Sequence, residues 1–347
     1  MKYFKIAVIL IPLMMVSCLE VETTTRVNND GSIDRSILLK GSEKSISETS
    51  FNIPRYDLDR WEITRDSLGE DRSSLAASAT FNSVEDLNQS WKLNFVEPGV
   101  QTQANLFIDE GFFFSRYIYR ETIWADLPGP ALPMEPFLSK SQLDSLIIND
   151  TDEGEGLLDS VASTRLEEQL DNYMQQVIFQ DFINLLREGG QRSGNLEVID
   201  EMLEEHSDAL LKSLNATNFY SENLVWKSIL GDYIDSVVVN EIEQANSEGL
   251  LRFYKSWQFF EEVLLDDYSF SLELPGVIRS TSASDVRGNR MTWEPETIVL
   301  FFGGVSLEAE SSVIKPWSLI ITGMLLLLTL VVTLAGFIRQ GNRKQAV

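Results

Sequence analysis

A chain of 347 residues with 44% hydrophobic side chains, 19 Phe among them, can bury a sizeable core, which argues against global disorder, and its length allows two domains. Its formal charge of −25, from 53 acidic against 28 basic residues, repels phosphate backbones and anionic head groups, which argues against a nucleic-acid role. With one cysteine and one histidine it can form neither an internal disulfide nor a zinc-type cysteine set.

Residues 1–17 read as a secretory signal: Lys2 and Lys5, an apolar stretch, then the small Ser17. The lone Cys18 follows directly, which resembles the bacterial lipoprotein pattern and implies a thiol that is acylated and a cysteine that becomes the first mature residue. Met15 and Val16 depart from the usual residues before such a cysteine.

From Glu20 the pattern alternates with a period of two through Val21, Thr23, Thr25 and Val27. Asn29-Asp30-Gly31 supplies a turn, and Ile33, Ile37 and Leu39 continue beyond it, so a hairpin is predicted. Leu58 to Thr64 and Ser73 to Phe81 read as two further strands. The Ser83 to Asp86 spacing is that of a capping box opening a short helix toward Trp91. Val100 to Thr122 is the strongest strand pair, turning at Asp109-Glu110-Gly111. On its return Phe113, Tyr117 and Tyr119 share one face, while Phe112, Phe114, Arg116, Ile118 and Arg120 share the other.

Pro128, Pro130, Pro133 and Pro136 then exclude a helix or central strand, and the acidic stretch Asn149 to Gly156 completes a linker. Beyond it the period becomes about 3.6. Leu166, Leu170, Tyr173, Met174, Val177, Phe182 and Leu185 form one stripe, closed by Gly189-Gly190. Asn195 caps a second helix with Leu196, Ile199, Leu203, Leu210 and Leu214. Trp226 to Tyr233 marks a third, and Leu250, Tyr254, Trp257, Phe260 and Leu264 a fourth. The β pattern returns at Tyr268, turns through Asp285 to Asn289, and ends in a strand near Val305 to Glu310.

Pro316 to Ile338 contains no charged residue and, at about 1.5 Å per residue, is long enough to cross a hydrocarbon core of about 30 Å. Trp317 stands where an interfacial anchor belongs, and Arg339, Arg343 and Lys344 mark the tail as cytoplasmic. The expected organisation is a signal (1–17), a β-rich first part (18–127), a linker (128–156), a helical insertion (157–265), a β-rich second part (266–315), a membrane helix (316–338) and a basic tail (339–347). The fold class is α+β, an antiparallel sheet interrupted by the helical insertion. A lipid on Cys18 and a spanning helix in one bilayer would put both ends of the body on one side of the fold.

The segment VETTTRVNNDGSIDRSILL after Cys18, the late segment LPGVIRSTSASDVRGNRMTW and the terminal helix with its basic tail resemble LppM-like lipoprotein domains. The resemblance covers residues 20–125 and 266–345. It implies an α+β extracytoplasmic domain of a bacterial envelope protein, tethered by lipid, by a C-terminal helix or by both, and it brings no catalytic residue to carry over. The helical block and the acidity depart from that pattern.

Candidate chemistry is sparse. His206 has no carboxylate one helical turn away and falls on the stripe of Ile199, Leu203 and Leu210, so it reads as a packing residue. Asp150 to Gly156 misses a calcium loop, with Gly154 where an oxygen ligand is needed and Glu155 where glycine belongs. Gly190 to Gly194 lacks the spacing of a nucleophile elbow. The candidate site residues are therefore Cys18 for lipidation and Phe112, Phe114, Arg116, Tyr117 and Arg120 as the wall of an amphiphile pocket, the arginines meeting a polar head. No catalytic residue, metal or cofactor is predicted. The expected partners are the bilayer, through Cys18 and the 316–338 helix, and envelope proteins or an amphiphilic ligand. The reading is a non-enzymatic binding or scaffolding lipoprotein of the inner membrane, with its body outside the cytoplasm. An amphiphile-binding module is the alternative, and a carboxylate-based hydrolase comes third.

Overall fold

The computed structural model describes residues 19–48, 60–69, 72–94, 99–130, 132–134, 136–138, 160–215 and 225–344. The signal, Cys18, the start of the strand predicted from Leu58 and the acidic stretch Asn149 to Gly156 lie outside the described residues.

The first hairpin forms as its alternation predicts, from β1 (Glu20–Val27) and β2 (Ile33–Gly41). Gly31 takes φ +85°, a conformation that favours glycine, and Asn28 N–H closes the turn on Ser32 O at 2.8 Å. A short helix, α1 (Glu43–Glu48), precedes β3 (Glu62–Ser67) and β4 (Ser73–Phe81). The expected cap opens α2 (Val84–Asn94): Ser83 Oγ accepts from Asp86 N–H at 3.3 Å, and Asp86 Oδ2 accepts from Asn82 N–H at 3.2 Å. The second hairpin is β5 (Val100–Glu110) with β6 (Phe114–Ala125). β5 is the edge of its sheet, and the Asn88 side chain covers part of that edge by pairing with both the N–H and the C=O of Ala104, at 2.9 and 2.8 Å.

Among the described residues the helical block forms α3 (Ser160–Ser193), α4 (Leu196–Asn215), α5 (Val225–Gly231), α6 (Ser236–Ala245) and α7 (Ser247–Leu265). The predicted stripe of α3 is buried throughout its length. Gly189-Gly190 do not end the helix, which runs on to Ser193; Gly194, at φ +80°, follows its end. The two glycines serve close packing instead. A Cβ on Gly189 would stand 2.6 Å from Ile242 Cγ2, and one on Gly190 would stand 3.1 Å from Ile199 Cγ1. Helix α6 was not predicted; Asp235 caps it by accepting from Val237 N–H at 2.8 Å. The proline segment lies against this block, with the Phe137 and Tyr173 rings 5.5 Å apart and Tyr173 Oη donating to Leu132 O at 3.2 Å.

The chain then adds β7 (Asp267–Glu273), β8 (Val277–Thr281), β9 (Asp285–Arg287), β10 (Arg290–Trp293), a 3-10 turn at Thr297–Phe301, β11 (Val305–Ile314) and helix α8 (Pro316–Lys344). The fold class is α+β, but the single antiparallel sheet becomes two sheets. The first has the order β3-β4-β2-β1-β7-β10-β9 and the second β5-β6-β11-β8. In the first, β1 and β7 are parallel. The reason is the insertion: α7 delivers the chain to Asp266 beside Leu19, so β7 starts at the same end as β1 and runs the same way.

The sheets face each other across the core. Tyr117 Oη donates to Asn29 O in the turn at 2.7 Å, and farther from that turn, on β2, Arg35 meets Glu121. These two contacts align the strands and fix the ends of the molecule. Leu19 sits with Asp266 at the end that carries the helical block, whereas Pro316 leaves β11 beside the β5–β6 turn, next to the Asn28–Gly31 turn. The eight residues of β1 at about 3.3 Å each separate the two ends by about 25 Å. The expectation that both ends of the body emerge on one side is therefore corrected: β1 starts at one end of the sandwich and β11 finishes at the other, because each runs its full length once.

Candidate functional site

The period-two pattern that builds β6 splits its side chains between two environments. Ser115, Tyr117, Tyr119, Glu121 and Ile123 enter the core, while Phe114, Arg116 and Arg120 are exposed on the outer face. Of the five residues proposed to wall a pocket, Tyr117 is thus separated from Phe114, Arg116 and Arg120 by the sheet itself. Phe112 lies at the hairpin turn, half exposed, with its ring 5.2 Å from Trp317. Arg116 forms a bidentate pair with Glu310, both bonds 2.6 Å, and Arg120 lies 3.7 Å from Glu308. Glu308 faces Arg120 directly across the β6–β11 ladder, and Glu310, opposite Ile118, is two residues from the position that faces Arg116. A depression of about 300 Å³ at Arg120 is lined by Ile118, Ser280, Thr281, Ser282 and Glu308 and opens on the outer face. The predicted wall therefore does not converge on one apolar cavity.

The inner face carries a constellation that was not predicted. Arg35 and Glu121, fully buried, form two hydrogen bonds, Nη2 to Oε1 at 2.7 Å and Nη1 to Oε2 at 3.0 Å. Arg35 Nη1 also bonds Thr25 Oγ1. Glu121 accepts from Tyr119 Oη at 2.8 Å and from Thr102 Oγ1 at 2.5 Å. The Trp91 ring lies 5.5 Å from the guanidinium carbon, at cation–π distance. Burial pushes the Glu121 carboxyl up, but the Arg35 charge and its hydrogen bonds outweigh that and hold it below the usual carboxylate range. Burial, and then the Glu121 charge, push the Tyr119 phenol well above its ordinary value. Sealed and charge-matched, the cluster has no reactive atom open to a substrate. Its chemistry is to bolt β2 to β6. The signal for it stood in the sequence: Arg35 shares the inward phase of Ile33, Ile37 and Leu39, and Glu121 that of Tyr119 and Ile123.

One carboxyl group titrates near neutrality. Asp266 is raised to about 7, chiefly by burial, although its Oδ1 accepts from Leu19 N–H at 3.1 Å. It borders a depression of about 470 Å³ whose rim includes Glu20, Glu22, Asp267, Glu294 and Glu296. His206, in α4, is 42% exposed, with its ring 5.1 Å from that of Tyr233. Among the described residues no group of three His, Cys, Asp or Glu side chains is arranged to hold a metal ion. The charges of Glu262 and Asp267 nearby add to the effect of burial on Asp266.

At the other end, among the described residues, one helix is long and apolar enough to cross a membrane. Its span Pro316–Leu334 has mean hydropathy 2.3 and is 6% buried. It is clamped to the β5–β6 turn: Lys315 N–H donates to Phe113 O at 2.8 Å, and Lys315 Nζ lies 3.2 Å from Glu110.

No family model matches the chain. No curated protein matches it. A similarity is found to the NMR structure of the folded domain of the Mycobacterium tuberculosis LppM protein, with 9% identity, covering 87% of this chain and 93% of that one, at a TM-score of 0.32. A likeness at this level is distant and establishes neither a shared function nor a shared site.

Proposed function

We propose that this chain is an extracytoplasmic bacterial lipoprotein of the inner membrane, with a non-enzymatic binding or scaffolding role at the cell envelope. The observation that carries the reading is the helix at Pro316–Leu334, whose apolar residues are exposed, 6% of its most apolar stretch being buried, and so contribute little to the globular core. A long apolar surface left out of the core is stable in lipid, where the helix satisfies its own backbone. The basic residues Arg339, Arg343 and Lys344 support a cytoplasmic tail and hence an outward body. Leu19 lies at the end of the sandwich away from Pro316, about 30 Å along the ten residues of β11, so with Cys18 acylated the sandwich lies along the membrane between its two tethers, and the helical block offers its outward surface to envelope partners there.

Three measurements on the full chain in cells test this. Palmitate labels the protein and fails to label Cys18→Ala. In that variant, an impermeant thiol reagent added to spheroplasts reaches a cysteine introduced by Asp208→Cys. A photoreactive group at the same position yields discrete protein adducts. Retained palmitate removes the lipoprotein assignment, protection of the introduced cysteine until lysis reverses the topology, and adducts to lipid in place of protein overturn the scaffolding role.

A further inference from the structure

We infer that the β5–β6 turn and the adjoining outer face of the second sheet form an anchor that seats in the bilayer interface beside the apolar helix. The inference rests on the membrane-helix reading above and adds a lipid-contacting surface on the folded body.

The outer face of this sheet is divided along its length. Toward the helical block it carries Gln103, Asn105, Thr122 and Ser306, the polar composition of a solvated face. Toward α8 it carries Phe107 at 63% exposure, Phe114 at 53%, Val277 at 62% and Ile314 at 59%. Strand register puts Ile314 opposite Phe114 and Val277 opposite Ser312 one row away, while Phe107, opposite Ile118, stands two rows from Phe114 with Asp109 and Arg116 between them. The turn adds Phe112 and Phe113, at 51% and 43% exposure. Scattered apolar side chains are normal on a protein surface, whereas a contiguous apolar end marks a contact.

Continuity with α8 identifies the occupant. Phe112 packs edge-on against Trp317 at 5.2 Å, and Lys315, the residue between β11 and α8, is hydrogen-bonded to Phe113 and paired to Glu110. Ser318 Oγ donates back to Lys315 O at 2.7 Å, fixing the first helical turn. There is no slack between sheet and helix, so the aromatic turn and the start of the apolar helix share one level to within about a helical turn, roughly 5 Å. A bilayer that accepts α8 from Trp317 onward therefore meets Phe112, Phe113 and Phe114 at its interface, where an apolar face rich in Trp and Phe buries into the head-group and acyl boundary. The nearest arginine, Arg116, is neutralised by Glu310, so this contact depends on apolar area and not on anionic lipid. Because the apolar end lies on the outer face of the second sheet, the body leans toward the membrane on that side.

The test uses the full chain carrying Cys18→Ala, reconstituted in phosphatidylcholine vesicles with and without phosphatidylglycerol. Single cysteines from Phe113→Cys, Phe107→Cys, Gln103→Cys and Leu327→Cys carry an environment-sensitive fluorophore, and all four positions are exposed, so labelling leaves the core intact. The expected result is blue-shifted emission at 113 and 107, with roughly twofold quenching by shallow spin-labelled lipid, equal in both vesicle types, against water-like emission at 103. Quenching at 327 without quenching at 113 overturns the anchor and leaves the membrane helix standing. Absence of quenching at 327 removes the membrane helix itself. Self-quenching at 113 that rises with the protein-to-lipid ratio assigns the face to a second copy of the chain and also overturns the inference.

Discussion

Arg35 and Glu121 lie 86 positions apart in the chain and on different sheets, yet their side chains meet with Nη2 2.7 Å from Oε1 and no exposure to water. The pair is the polar centre of the sandwich. Its acceptors are saturated by Arg35, Tyr119 and Thr102, which is the condition under which a buried charge pair can be tolerated.

Removing one partner is expected to cost far more than removing both. Arg35→Met leaves a buried carboxylate without its cation and should destabilise by about 3–5 kcal/mol, whereas Arg35→Met with Glu121→Leu should recover much of that loss. Denaturant unfolding of the two singles and the double measures it. The pH dependence follows from the lowered carboxyl of Glu121: its contribution is full above the ordinary carboxylate value of 4.5 and is lost as pH falls through the lower folded value. The double variant should lack that component of acid destabilisation.

Asp266 has the opposite sign. Its folded value of about 7 lies above the ordinary 3.8, so the folded state holds the proton more tightly than the unfolded chain does. The stabilisation is present below pH 4 and declines as pH rises toward about 7, at about 1.4 kcal/mol per unit at most. Asp266→Asn keeps an oxygen to accept from Leu19 N–H and carries no charge. Its thermal midpoint should exceed that of the wild type at pH 8, and the difference should shrink at pH 5.

Gly189 tests the reading of the α3 glycines. A methyl group there would stand 2.6 Å from Ile242 Cγ2, inside a buried contact, so Gly189→Ala should cost about 1–3 kcal/mol. At Gly231 nothing lies within 4 Å of the added Cβ, and the same change should be neutral or stabilise by up to about 1 kcal/mol. Chemical denaturation of the two variants separates packing from helix termination. If Gly189 were a terminator, its replacement by Ala would extend the helix at little cost.

Legibility varied with the range of the interaction that decides each feature. The first hairpin, the Ser83 cap, β4, the α3 stripe and the strand leading into α8 follow from residues within a few positions of one another, and each formed where its pattern stood. Gly189-Gly190 was misassigned because helix termination and close helix packing call for the same residue. Only the position of Ile242, more than fifty residues away, distinguishes them. The five pocket candidates diverge for a related reason. The alternation correctly divided Tyr117 from Arg116 and Arg120, but the acids that take up those arginines, Glu310 and Glu308, come from a strand almost two hundred residues later.

By itself the sequence determined the periodicities, and with them which side chains would turn inward, where the chain would reverse, and that one apolar run near its end would stay out of the core. Only the tertiary structure decided that β1 and β7 run parallel, that Arg35 finds Glu121, and that the aromatic turn meets Trp317. Backbone geometry fixes the first set locally. The second depends on which distant surfaces the core brings face to face, and a one-dimensional pattern carries the phase of a strand but not the identity of its neighbour.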